Sequence, residues 1–199
     1  MAGKLYLLFQ SEEEGSYTFI AEENSQRSNG IPPDAVLIWQ VEAESWEIAC
    51  MKRNDFLHWE PYKPMIAEDA DLNAFLPRHK HDLDNFQLLK NLGYPVIRPV
   101  LSELMAWVKD MNWPVATAVA PFLVSLGAVL MPYVQEVLDT TDGMWKYWVI
   151  TAVLDKMPPV EAEVFITMLE LLLMRMTDDD RKCEVDVAAR DLLMKLGAG

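Results

Sequence analysis

Two stretches of this chain repeat one another. Asp110 to Leu126, DMNWPVATAVAPFLVSL, opens with a small polar turn, places Trp113 at a helix start and continues with Val, Ala and Leu at helical spacing. Asp142 to Leu154, DGMWKYWVITAVL, does the same from Trp145. The two tryptophans lie 32 positions apart, and Pro99 and Pro132 upstream of them lie 33 apart. Recurrence in the thirties, helix after helix, is the signature of stacked helical pairs. One pair cannot bury its apolar face alone, so the rest of the chain must supply neighbours.

The first third reads differently. KLYLLFQ (4–10), YTFIAE (17–22) and AVLIWQVEA (35–43) are short, aromatic and β-prone, which predicts three strands. An acidic turn around Gly15 and the polar loop ENSQRSNGIPPD separate them. Ser45 is placed to cap a helix over about 46–58, with Trp46, Ala49, Cys50, Arg53 and Leu57 on one stripe. The expectation is a small βββα module over 1–64, closed by Pro61 and Pro64, and a linker over 65–71.

From Leu72 onward no strand pattern recurs. His81 or Asp82 caps a helix over 83–92, and Gly93 ends it. Pro95 suits the first position of a helix over 95–109, which Pro99 bends. Helices over 113–126 (with Pro121 inside), 128–139, 143–156, 159–176 and 179–196 follow, Asp142 opening the third of these five. In 143–156 the predicted stripe is Trp145, Trp148, Val149, Ala152 and Val153, and Val164 to Met176 reads as a central buried helix. The natural pairs are 95–109 with 113–126, 128–139 with 143–156, and 159–176 with 179–196. The fold class is therefore α+β, mainly α, with a helical-repeat domain over 72–199.

LPRHKHDLDNFQLLKNLGYPVIRPVLSELMAWVKDMNWPVATAVAPFL, with the later WKYW, resembles an uncharacterised bacterial domain family with a HEAT-like helical fold, over roughly 72–196. The matching pieces are Lys80-His81-Asp82, Gly93-Tyr94-Pro95, Asp110 to Ala116 and Trp145 to Trp148. IWQVEAESWEIACMKRNDFLHWEPYKP resembles a short bacterial module of unknown role. The resemblance implies a fold, and no catalytic residue is carried over from either.

The formal net charge is −14, with 31 acidic against 17 basic residues spread along the whole chain. Such a field repels nucleic acid and anionic membrane and steers basic partners inward. Cys50 and Cys183 lie in helical patterns without CxxC spacing, which reads as reduced, packed thiols in a cytoplasmic protein. The apolar run from Leu5 is too short for a membrane span.

The chemistry is sparse. His79, His81, Asp82 and Asp84 form the only histidine cluster, but Leu83 and Asp84 stand where a zinc-hydrolase pattern needs Asp and His, so a helix start is the simpler reading and no metal is expected. Asp178-Asp179-Asp180 reads as the cap of the last helix, and no GxSxG, P-loop or GxGxxG is present. Trp107, Trp113, Tyr147 and Lys146 remain as candidates for contact with a protein partner. The leading expectation is a non-enzymatic protein-binding module without cofactor, of immunity or antitoxin type, that neutralises a basic bacterial toxin. The alternatives are an enzyme on a HEAT-like scaffold and an intracellular adaptor.

Overall fold

The computed structural model describes residues 3–25, 30–66 and 70–198. The chain divides into two compact units, Met1–Asp69 and Ala70–Gly199. Residues 67–69 of the expected linker, and 26–29 of the polar loop, lie outside the described residues.

The first unit is a three-stranded antiparallel sheet in the order β2-β1-β3, with β1 Lys4–Ser11, β2 Ser16–Ala21 and β3 Val36–Ala43. A four-residue helix, α1 (Glu22–Ser25), follows β2, where a loop was expected. Leu8 of the central strand faces Phe19 on one side and Trp39 on the other, so the face they share is largely aromatic. Helix α2 (Trp46–Phe56) packs on β3, its start held by the Ser45 side chain, which accepts the Ile48 N–H at 3.2 Å. Its buried residues are Ile48, Ala49, Cys50 and Met51, whereas Trp46 is exposed and its ring packs at a tilt against Phe19 and Tyr6 at the margin. The polar interruption Arg53 finds an aromatic seat, its guanidinium 5.1 Å from the Phe19 ring and 5.5 Å from Trp59.

The second unit is helical: α3 (Leu83–Leu92), α4 (Leu101–Ala106), α5 (Pro114–Val124), α6 (Met131–Leu138), α7 (Gly143–Trp148), α8 (Pro159–Ala162), α9 (Ile166–Met174), α10 (Asp178–Lys182) and α11 (Val185–Lys195). Among its described residues there is no strand. The α4 region packs on α5, α6 on α7 and α9 on α11. The core includes Leu88, Leu89, Leu101, Leu104, Leu123, Phe165 and Leu169, all essentially inaccessible. Each such side chain contributes about 1.5–3 kcal/mol by leaving water.

The expected long helices are shorter and broken. Pro95 does not start a helix: it follows a cis peptide bond from Tyr94, its carbonyl accepts the Arg98 N–H in a turn, and a 3-10 turn at Arg98–Val100 leads into α4. Pro99 takes the helix-start role, where the missing N–H costs nothing. Pro121 stays inside α5, on its exposed side. After α5 the chain turns through Gly127, whose φ of 54° favours glycine; the end of the Glu161 side chain approaches it closely. Helix α7 continues into a π-helical turn, Val149–Val153. The expected last helix is two, separated at Glu184, whose φ of 58° is left-handed. The stretch read as a central buried helix is not one: α9 buries Leu169 and Leu172, while Leu171 and Met174 are exposed. No single helix is long and apolar enough to cross a membrane among the described residues; the bent pair Pro114–Val124 with Gly127–Leu138 passes by length and composition alone, turning through 118°.

Candidate functional site

The helix starts of α3, α5, α7 and α10 lie along one edge of the second unit, tied by directed contacts. The Lys80 carbonyl accepts the Val115 N–H at 3.1 Å, joining the loop before α3 to the start of α5. Trp107 and Trp113 flank the α4–α5 turn and meet edge to face, ring centres 5.6 Å apart. Lys109 Nζ sits 4.1 Å over the Trp145 ring, and Trp145 Nε1 donates to the Met105 carbonyl at 3.0 Å. The Gly143 N–H donates to the Asp179 carboxylate at 2.9 Å.

Polar side chains close three of these starts. Asp82 accepts the Asn85 N–H, Asp142 accepts the Trp145 N–H at 2.9 Å, and Thr177 and Asp180 exchange bonds in a capping box. The start of α5 has no side-chain cap; Pro114 removes one donor and the Lys80 carbonyl satisfies the next. The quoted motifs KHD, DGMW and the Asp triplet thus lie at side-chain-capped helix starts, whereas DMNWP opens α5 without one. Asp82 is buried; burial raises its carboxyl, but N–H groups of Arg78 and Asn85 outweigh it and hold the group below its ordinary value.

Behind this edge lies a buried ion pair. Lys146 Nζ is 2.8 Å from Asp180 Oδ1, with side-chain exposures of 3% and 0%. Lys146, expected to meet a partner, is therefore unavailable at the surface. The reason is helical phase: within α7 Gly143 and Lys146, three residues apart, share a buried side, while Trp145 and Trp148 lie off it and are half-buried. Of the expected stripe, Val149 and Val153 are buried in the π-helical turn that follows, and Ala152 is half-buried. Burial pushes the Asp180 carboxyl up, but hydrogen bonds from Lys146 and Thr177 outweigh it and the net effect is downward. A polar pocket of about 170 Å³ beside the pair is lined by Asp139, Thr140, Lys146, Arg175 and Thr177. Arg175 and Asp139 bridge at 2.7 Å beside it. Its opposite charges are already matched.

The remaining predicted residues are placed as follows. Trp107 and Trp113 are half-buried against each other. Tyr147 is half-buried and packs edge-on against Trp148, ring centres 5.1 Å apart. His81 is exposed and does not cap; its N–H donates to His79 Nδ1 at 3.3 Å and the cap falls to Asp82. Gly93 ends α3 at a φ of 65°. Among the described residues no three His, Cys, Asp or Glu gather as metal ligands. Cys50 and Cys183 are free, and burial raises the Cys50 thiol, which bonds to Tyr62.

One feature escaped the sequence reading: an apolar groove of about 580 Å³ between α9 and α11, lined by Leu173, Met174, Leu193 and Met194. The available signal was Glu170 and Arg175 inside an otherwise apolar run, which marks a helix with a solvent side.

The fold is thus a mainly helical α+β protein with a small antiparallel sheet unit ahead of an all-helical one. Residues 75–193 match a domain of unknown function, DUF5071, and the chain belongs to that family. No curated protein matches the chain.

Proposed function

We propose that this chain is a non-enzymatic protein-binding module, of immunity or antitoxin type, that takes a basic protein on the edge where α3, α5, α7 and α10 begin. The reading includes a HEAT-like stacking of the helical pairs and a bacterial, cytoplasmic setting. One observation carries it. Asp84, Asp110, Asp142 and Asp179 lie in the first turns of, or the loops that open, α3, α5, α7 and α10, and Trp107 and Trp113 flank the turn into α5, in a chain of net charge −14. Lys109 over Trp145 is an internal example of the contact a partner's cation would make with the Trp107–Trp113 pair. Carboxylates steer such a partner inward, and half-buried aromatic side chains anchor it.

Affinity capture from native cells at low and high salt tests the reading. A stoichiometric basic protein, released by salt and lost with Trp113→Ala, supports it. Salt-independent capture, or capture indifferent to Trp113→Ala, overturns it.

The division into two compact units favours a second reading, an adaptor with a separate partner for each. Separately expressed halves that each retain a partner would support it; binding by the intact chain alone would exclude it.

A further inference from the structure

We infer that the α9–α11 face pairs with the same face of a second copy of this chain, in a twofold-symmetric dimer. The observation is a self-complementary pattern. On α9, Glu170 and Met174 stand four residues apart; on α11, Arg190 and Met194 do the same. These four line the same groove, with Leu173 and Leu193 beneath them. Met174 is 81% exposed and Met194 70%, values that leave nearly the whole of two flexible apolar side chains in water. Among the described residues neither Glu170 nor Arg190 has an ion pair or a side-chain hydrogen bond.

A twofold interface requires that if residue i meets residue j, then j meets i. One carboxylate, Glu170, and one guanidinium, Arg190, on opposite sides of an apolar strip satisfy that condition. Rotation by half a turn sets Glu170 against the second copy's Arg190, repeats the contact on the other side of the axis, and lays the methionines on one another. A purely acidic partner would meet Glu170 with like charge, and a purely basic one would meet Arg190. A second copy meets neither. The overall charge of −14 opposes association at long range, but that repulsion is screened beyond about 8 Å at physiological ionic strength, whereas the paired charges are in contact.

Sedimentation equilibrium on the full chain tests this, with circular dichroism to confirm that each variant is folded. The wild type is expected to dimerise, more tightly as salt rises from very low to physiological levels. Met194→Glu is expected to abolish the dimer. Glu170→Arg and Arg190→Glu, each alone, should weaken it by about tenfold or more, since every single reversal turns two attractive contacts repulsive. The decisive result is recovery. An equimolar mixture of the two single variants should form a heterodimer with both pairs restored, and Glu170→Arg/Arg190→Glu should dimerise with itself. A monomeric wild type, a dimer indifferent to Met194→Glu, or singles that do not recover on mixing would overturn the proposal.

Discussion

Two surfaces of the helical unit are built on opposite principles. The edge where α3, α5, α7 and α10 begin is held by directed polar contacts, each donor matched to an acceptor, with a buried ion pair behind it. The α9–α11 face has methionines in water and two charges without partners. The first kind of surface fixes neighbouring helices in one arrangement. The second leaves apolar area unspent within the chain. Stability therefore concentrates at the edge, and the capacity to associate at the groove, so substitutions at the two places should separate the two properties.

The largest effect is expected at the ion pair. Lys146→Ala strands the Asp180 charge in the interior and should lower the unfolding free energy by about 3–5 kcal/mol, whereas Lys146→Met with Asp180→Leu should recover most of this, short of about 1 kcal/mol for the Thr177 N–H that loses its acceptor. Urea unfolding of the three proteins checks both. Gly143→Ala comes next: a Cβ there lies 2.8 Å from the Asp179 carbonyl, and the backbone must shift, at about 1–3 kcal/mol. Asp142→Ala removes a cap and should cost about 1 kcal/mol. At the groove, Met174→Ser should change stability by less than about 0.5 kcal/mol while weakening self-association.

Acid sharpens the same comparison. Asp82 and Asp180 have carboxyls held below their ordinary value of 3.8 in the folded chain. Their contribution is fully present above the unfolded value of about 3.9, and is lost as pH falls through it toward the lower folded values. Unfolding free energy should decline in that window, and less steeply in Lys146→Met with Asp180→Leu. An equal slope in both would place the acid sensitivity elsewhere.

The strands and most helix starts were legible because their signals are local. Ser45, Asp82, Asp142 and the Asp178–Asp180 run announce caps within four residues, and the aromatic runs at 4–10 and 35–43 announce strands. What failed depended on local backbone geometry or on distant partners that residue spacing does not show. Pro95 was a plausible helix start until the turn bonding it to Arg98 was visible. Of the stripe of 143–156, Val149 and Val153 are buried, but Trp145 and Trp148, the largest apolar side chains, are only half-buried and the buried side of α7 includes Lys146. A lysine joins a core stripe only if a carboxylate waits for it, and Asp180 stands 34 residues away. The domain family was legible over 72–196 and is matched over 75–193.

That lysine bears on how the chain avoids assembling wrongly. Helices of similar length and composition, each with an apolar stripe, can trade places during folding at little energetic penalty, since hydrophobic contact is non-directional. The one buried positive charge of α7, Lys146, and the one buried negative charge of α10, Asp180, remove that degeneracy. Any arrangement that seats α7 against another helix buries a charge with nothing opposite it. The apolar replacement pair should therefore retain most of its stability yet lose fidelity, refolding through slower or branched kinetics to a less uniform state, with Lys146 and Asp180 serving as the key that admits one neighbour and refuses the rest.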